Sequence, residues 1–362
     1  MKSNEPLKVG VVGCGRVTLA NWGHIPSLSK VKKAKISAVC DMNENVAKTV
    51  AEKFHINRYY TDFSAMLKKE KLDIVDICTQ PSTHHALSIE AMEAGCHVLV
   101  EKLMAMNSVE ADEMIEAAAE NNVKLCVVHN KLFKPLIMKA RALVSQGDIG
   151  DLTGMDLRDA WSVNGEEAMN IPDKDHWYHK LPAGALGEML PHPIYLAMAF
   201  LGSLQPVAVY AKKIGDYEWL AADELRVILD GENGIGTITT SCNWARGEAT
   251  IDLFGTKRNL HVSVHSGILM KYGYGKENYF WRALDNLGQS YQQLACTAST
   301  VANTRLGRLH SGHRVLIERF IESVQNDTRP PVTGKEGKEV VRVLEIIDDR
   351  MSVIPQAQPR AL

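Results

Sequence analysis

The 362 residues, 45% hydrophobic and 23% charged, have an ordinary globular composition and about 2.4 times the length of a typical 150-residue domain, so two domains are expected. A formal charge of −2, with no lysine cluster interleaved by aromatics, points away from nucleic acid. The longest apolar stretch, around Ile194 to Leu201, is far below the roughly 18 residues of a membrane span. The opening residues lack an apolar signal region, and the seven cysteines are scattered with no C-x-x-C, so a cytoplasmic protein with neither disulfide framework nor zinc ribbon is expected.

In chain order, "LKVGVV", "AKISAVC", "DIVDIC", "HVLV" and "KLCVV" are short apolar runs of the kind that form parallel strands buried on both faces. Between them lie predicted helices at Asn43 to Phe54, Ser82 to Ala94 and Ser108 to Asn121, the last opened by Asn107 and Glu110 in a capping-box arrangement. This alternation predicts a doubly wound parallel sheet over residues 1–130. Residues 131–362 read differently. A helix at Leu186 to Leu201 precedes the strand-like runs "VAVYAKKIG", "ELRVILD", "GIGTITTSCNW", "ATIDLFG" and "NLHVSVH", which imply a mostly antiparallel sheet in an α+β domain. An insertion with a helix is expected near Tyr279 to Asn303. Two amphipathic helices follow from Ser311 to Asp349, and these final helices are candidates to pack back on the N-terminal domain.

"KVGVVGCGRVT" sets Gly13, Gly15 and Thr18 on the G-x-G-x-x-G spacing at the end of the first predicted strand. Gly13 permits a tight turn, Gly15 allows close approach of a pyrophosphate, and the next helix offers N–H groups from Arg16 and Val17. Thr18 stands where Gly or Ala is usual, so looser packing of helix on strand is expected there. Asp41 closes the second strand about where an acid binds the adenosine ribose diol, which favours NAD over NADP because a carboxylate repels a 2′-phosphate. The alternative role for Asp41 is to cap the helix beginning near Asn43.

Read together, "VVGCGRVT", "DICTQPSTHH", "HVLVEKLMAM", "VVHNKLFKP" and "GALGEMLPHPIY" resemble the Gfo/Idh/MocA oxidoreductases. The resemblance covers nearly the whole chain and is weakest over Trp161 to Lys180 and Tyr279 to Asn303. It implies a Rossmann domain followed by an open-sheet α+β domain, NAD(P)-dependent chemistry on sugars, inositols and their derivatives, and a homodimer or homotetramer. The family's Glu-Lys-Pro signature appears as Glu101-Lys102-Leu103. By that resemblance Lys102 contacts the reacting hydroxyl and the nicotinamide ribose, and Glu101 holds the local structure. On spacing alone a surface ion pair would serve as well, although groups at the carboxyl end of a parallel strand face the ligand crevice and an ammonium there stabilises alkoxide character. The family's lysine–proline bond is often cis. With leucine at 103, either the loop is re-routed or its surroundings hold that conformation.

Glu188 and His192 take the family's acid-x-x-x-His position, and four residues apart on a helix they share a face. Histidine can take a hydroxyl proton near neutral pH, with Glu188 orienting it or binding a neighbouring hydroxyl; without the lysine motif, His192 would instead read as a packed helix-start residue. The expectation is that Lys102 and His192 share one alcohol beside the nicotinamide ring. The resemblance also places Thr79, Pro81 and His84 along the cofactor. Asn130 falls where the family has Asn-x-Arg, as a nicotinamide or substrate contact, with Lys131 as the candidate to replace the missing arginine. "DKDHWYHK" brings Asp173, Asp175, His176 and His179 near Glu188 and His192 in type, but two lysines and no cysteine favour a polar substrate-lining loop over a metal site. Trp161, Trp177 and Tyr178 suit stacking on a sugar ring as well as they suit plain packing. The expected function is NAD-dependent dehydrogenation of a sugar, cyclic polyol or glycoside. The rivals are an enzyme that retains NAD and uses transient oxidation to drive elimination, and a non-catalytic NAD-binding regulator.

Overall fold

The computed structural model describes residues 5–162, 170–273, 278–306 and 311–352. The chain divides into two compact units, one of residues 1–134 with 310–342 and one of residues 135–309 with 343–362.

In the first unit β1 (Leu7–Val12), β2 (Ala34–Cys40), β3 (Tyr59–Tyr60), β4 (Ile74–Ile77), β5 (His97–Val100) and β6 (Leu125–Val127) form a sheet in the order β3-β2-β1-β4-β5-β6. Every pairing is parallel, the doubly wound order that binds dinucleotides where the strand order reverses. The reason lies in the strands themselves: Val9, Val11, Ile74, Ile77, Val98, Leu99 and Val100 are essentially fully buried, so both faces need helical cover. That cover comes from α1 (Arg16–Leu19), α2 (His24–Leu28), α3 (Glu44–Lys53), α4 (Phe63–Glu70), α5 (His84–Glu93) and α6 (Ser108–Glu120). Asn43, Asp62 and Asn107 cap α3, α4 and α6 through their side-chain oxygens. At α6 the Glu110 carboxylate reaches back to the Met106 N–H at 2.9 Å, one residue earlier than in the usual capping box.

In the second unit α7 (Pro135–Ser145), β7 (Leu152–Ser162), α8 (Leu186–Met189) and α9 (Pro191–Leu201) precede β8 (Leu204–Lys212), β9 (Glu224–Gly231), β10 (Gly234–Trp244), β11 (Glu248–Gly255), β12 (Asn259–Ser263) and β13 (Ile268–Tyr272). Seven strands lie in the order β13-β12-β11-β7-β10-β9-β8. They pair antiparallel except for β7 beside β10, which is parallel. One face of the sheet packs under α9, whose Ile194, Tyr195, Leu196 and Leu201 are buried. On the other face Tyr210, Ile228 and Ile235 stand exposed, the alternation of a sheet covered on one side. Helix α10 (Tyr279–Arg305) lies on the edge strand β13, where Gln292 bonds the Lys271 backbone and Cys296 the Leu269 carbonyl.

Helix α11 (Gly312–Asn326) and the start of α12 (Gly334–Ser352) belong to the first unit. There Val127 N–H donates to the Val332 carbonyl at 3.3 Å beside β6, and Thr333 with Glu336 forms the capping box that starts α12. No helix among the described residues is long and apolar enough to cross a membrane.

Candidate active site

The glycine-rich turn leaves β1 at Gly13, whose φ of +87° suits glycine. A Cβ there would stand 2.9 Å from backbone atoms of Cys78 and Thr79. Gly15 differs: its φ is −81°, it is exposed, and a Cβ would meet nothing within 4 Å. The protein's own packing therefore does not demand glycine at 15, and the open space is what close approach of a pyrophosphate requires. Thr18 is fully buried and donates its hydroxyl to the Gly13 carbonyl at 2.7 Å. A third glycine is unnecessary because this side chain ties the helix to the turn, which corrects the expected looser packing. Arg16 is exposed and Val17 half-buried in α1, which is a single turn rather than the long helix usual after such a loop. Asp41 accepts from the Cys14 N–H at 2.9 Å through one oxygen and from the Asn43 N–H at 2.9 Å through the other. Its carboxylate thus braces the phosphate turn, while Asn43 rather than Asp41 caps α3.

At the carboxyl ends of β4 and β5, Thr79 is half-buried and Pro81 opens a 3₁₀ turn. His84 is fully buried, with one ring nitrogen 2.7 Å from the Leu103 carbonyl and the other 3.0 Å from the Thr79 carbonyl. It binds the two loops together and offers no ligand-facing atom, a correction to its expected place along the cofactor. Burial pushes its pKa down, against the pull of the two carbonyls. His85 pairs with Glu113 at the surface.

Glu101 is 5% exposed and Lys102 half-buried. The Lys102–Leu103 bond is cis. Leu103 is itself buried. One Glu101 oxygen accepts from the Lys102 N–H at 3.0 Å. The other meets His24 Nε2 at 2.9 Å and His313 Nε2 at 3.4 Å. His24 Nδ1 in turn lies 2.9 Å from the Asp76 carboxylate. Hydrogen bonds and charge from His24 and His313 hold the Glu101 carboxyl far below the usual range against its burial. The charge of Asp76 and the hydrogen bond to it raise His24 well above an ordinary histidine despite complete burial. Burial lowers His313 and takes His129 down to about 3.

His24 with Asp76 and Cys78, and His24 with Glu101 and His313, are the groups of metal-ligating side chains among the described residues. Their 2.9 Å contacts are hydrogen-bond lengths, whereas ligand atoms on a tetrahedral zinc stand about 3.3 Å apart. Asn130 Nδ2 lies 3.3 Å from the His313 ring, and the exposed Trp22 stacks on it with centroids 5.2 Å apart. Lys131 is half-buried in the 3₁₀ turn Asn130–Phe133.

In the second unit, Glu188 lies in α8 and His192 in α9, the helices meeting at Leu190. Both side chains are half-buried. His192 Nδ1 shares a 2.7 Å hydrogen bond with the hydroxyl of Tyr195, itself 1% exposed. His176, Trp177 and Tyr178 form an aromatic group with the Trp177 and Tyr178 rings 4.5 Å apart, and Trp161 stands 6.2 Å from Tyr178. His179 Nε2 bonds the Asp173 carbonyl at 3.0 Å.

Sequence reasoning missed His24, Asp76, His313, Trp22 and Tyr195. Asp76 carried a signal, since an acid inside a strand buried on both faces needs a charged partner. Nothing in spacing connects it to His24 or His313.

A doubly wound dinucleotide sheet and an open glycine-rich turn fit the NAD-binding domain of an oxidoreductase family. The NAD-binding Rossmann fold of that oxidoreductase family matches residues 7–129, and the Gfo/Idh/MocA C-terminal domain matches residues 137–261. The chain belongs to the Gfo/Idh/MocA family. It is similar to the myo-inositol 2-dehydrogenase of Thermotoga maritima, 24% identical over 92% of both chains. It is also similar to the D-glucoside 3-dehydrogenase of Escherichia coli, 31% identical over 41% of this chain and 42% of that one. Its fold matches that of the WlbA dehydrogenase of Bordetella pertussis, solved with NADH and UDP-GlcNAcA, with a TM-score of 0.79 and 20% identity over 97% of this chain and 96% of that one.

Proposed function

We propose that this oxidoreductase moves a hydride between a secondary hydroxyl of a sugar, cyclic polyol or glycoside and NAD. The observation that carries the reading is Lys102, half-buried at the carboxyl end of β5 with its own N–H held by the buried Glu101 carboxylate. The relatives that act on inositol and glucosides support the substrate class. Gly13, Gly15, Arg16, Val17 and Asp41 would hold the dinucleotide, with Thr79, Pro81 and Asn130 along its nicotinamide end. NAD, when bound, supplies the hydride acceptor. The Lys102 ammonium stabilises the oxygen as it gains negative charge. His192 takes the hydroxyl proton on Nε2, its Nδ1 being engaged by Tyr195, and Glu188 orients the imidazole or binds a neighbouring hydroxyl. Trp161 and Trp177 offer faces for the sugar ring, with Lys131, His176 and His179 as polar contacts.

The test is a panel of sugars, inositols and glycosides with NAD, following the absorbance of the reduced cofactor. Lys102→Ala and His192→Ala are each expected to lose at least a hundredfold in kcat on an accepted substrate. Parental rates in both variants would overturn the assignment. A cleaved product without net NADH would replace simple dehydrogenation by transient oxidation.

Homo-oligomerisation is part of the proposal. Helix α10 exposes Phe280, Leu284, Leu287, Tyr291, Leu294 and Val301, a three-and-four spacing that suits the same helix of a second copy. The seven free thiols suit a cytoplasmic location.

A further inference from the structure

We propose that His24 is a permanently charged imidazolium that positions Lys102 by holding the Glu101 carboxylate. The inference rests on Lys102 being the lysine that meets the substrate hydroxyl. His24 is fully buried, and its two ring nitrogens each lie 2.9 Å from a carboxylate, Asp76 on one side and Glu101 on the other. A neutral imidazole has one N–H, so it would turn a lone pair toward one of these anions. Only the doubly protonated ring donates to both. Without that cation two carboxylates from neighbouring strands would be buried side by side, each stripped of the water that stabilises its charge.

The consequence reaches Lys102 through covalent geometry. Glu101 immediately precedes it, and the second Glu101 oxygen receives the Lys102 N–H at 3.0 Å. The backbone at the lysine is therefore clamped to a carboxylate whose own position is set by His24. Among the described residues, the titratable groups facing His24 are Asp76 and Cys78 at the end of β4, Glu101 after β5, and His313 of α11. Burial pushes the Cys78 thiol up to about 12 and lowers His313, so neither supplies a competing charge near neutrality. His129, also buried near Glu101, is neutral there as well. Asp76 and Glu101 thus share the His24 cation between them.

Two measurements test this. In protein labelled with ¹⁵N-histidine, the resonances lost in His24→Gln are expected to show protons on both ring nitrogens from pH 6 to pH 9; one bare nitrogen at pH 7 overturns the proposal. In His24→Gln the two carboxylates lose their shared cation, so one of them takes up a proton at low pH. As the pH rises both ionise and repel, and kcat on the substrate found in the panel is expected to fall at least tenfold between pH 6 and pH 9, relative to the parent, while the Kd for NAD changes less than threefold. The double variant with Asp76→Asn removes one charge and is expected to abolish that inflection. A purely structural histidine would lower Tm and leave the shape of the pH profile unchanged, which also overturns the proposal. Failure of the underlying reading looks different: Lys102→Ala would retain activity while both His24 nitrogens remained protonated.

Discussion

The two glycines of the phosphate turn are expected to fail in opposite ways when each is given a methyl group. At Gly13 the backbone sits at φ +87°, where an alanine costs about 1–2 kcal/mol. The new Cβ would also press at 2.9 Å on the Cys78 carbonyl group and the Thr79 nitrogen. These are backbone atoms that cannot rotate aside, so overpacking adds about 1–3 kcal/mol. Gly13→Ala should therefore lose about 2–5 kcal/mol, or roughly 5–20 °C in the melting of the first unit. At Gly15 the backbone is in an ordinary extended region and the methyl meets no protein atom within 4 Å, so Tm should move by no more than about 2 °C. What it fills is the space proposed for the dinucleotide. Losing one backbone hydrogen bond to a charged phosphate costs about 1.5–3 kcal/mol, and the Kd for NAD should rise about 10- to 150-fold. Differential scanning fluorimetry and calorimetric NAD titration on both variants decide the matter. Parental NAD affinity in Gly15→Ala, or equal loss of Tm in the two variants, would refute the division of labour.

Asp41→Asn should narrow the preference for NAD over NADP by roughly tenfold or more, since it removes the charge that repels a 2′-phosphate, as measured by the ratio of the two Kd values. Tyr195→Phe removes the partner of His192 Nδ1 and should lower kcat about three- to twelvefold, the equivalent of one neutral hydrogen bond, in the polyol assay. His129 is held neutral by burial with a pKa near 3 against 6.5 when unfolded. The unfolded chain therefore binds a proton that the folded chain refuses, and stability falls as the pH drops from about 6.5 toward 3. At about 1.4 kcal/mol per unit that loss is on the order of 5 kcal/mol, and denaturant titrations of His129→Gln should show a flatter acid limb. Leu287→Glu with Leu294→Glu, both on the exposed stripe of α10, should lower the mass measured by light scattering to that of a smaller assembly; unchanged mass would remove α10 from the interface.

Sequence alone determined the Rossmann sheet because its cues are local. Strands Leu7–Val12 and His97–Val100 carry the unbroken apolar stretches Val9 to Val12 and Val98 to Val100, and the glycines that shape the turn are two residues apart. The antiparallel runs of the second half were equally legible, since one buried face forces a period of two, as in Glu224–Gly231. The edge strand β13 is not among those runs, and neither is β7, which lies in the middle of its sheet. Its Asp156, Arg158 and Asp159 interrupt the apolar pattern, and only pairing with β10 and β11 makes it a strand. The helix expected from Leu186 to Leu201 became two that meet at Leu190, a division set by Pro191, which has no N–H to continue the first helix. Glu101 and Lys102 could be located as a pair from their place at a strand end. What holds them could not: His24 and His313 stand 77 positions before and 212 positions after Glu101. Burial of a charge is decided by the elements that close around it, and β4, β5, α2 and α11 meet only once the chain has folded.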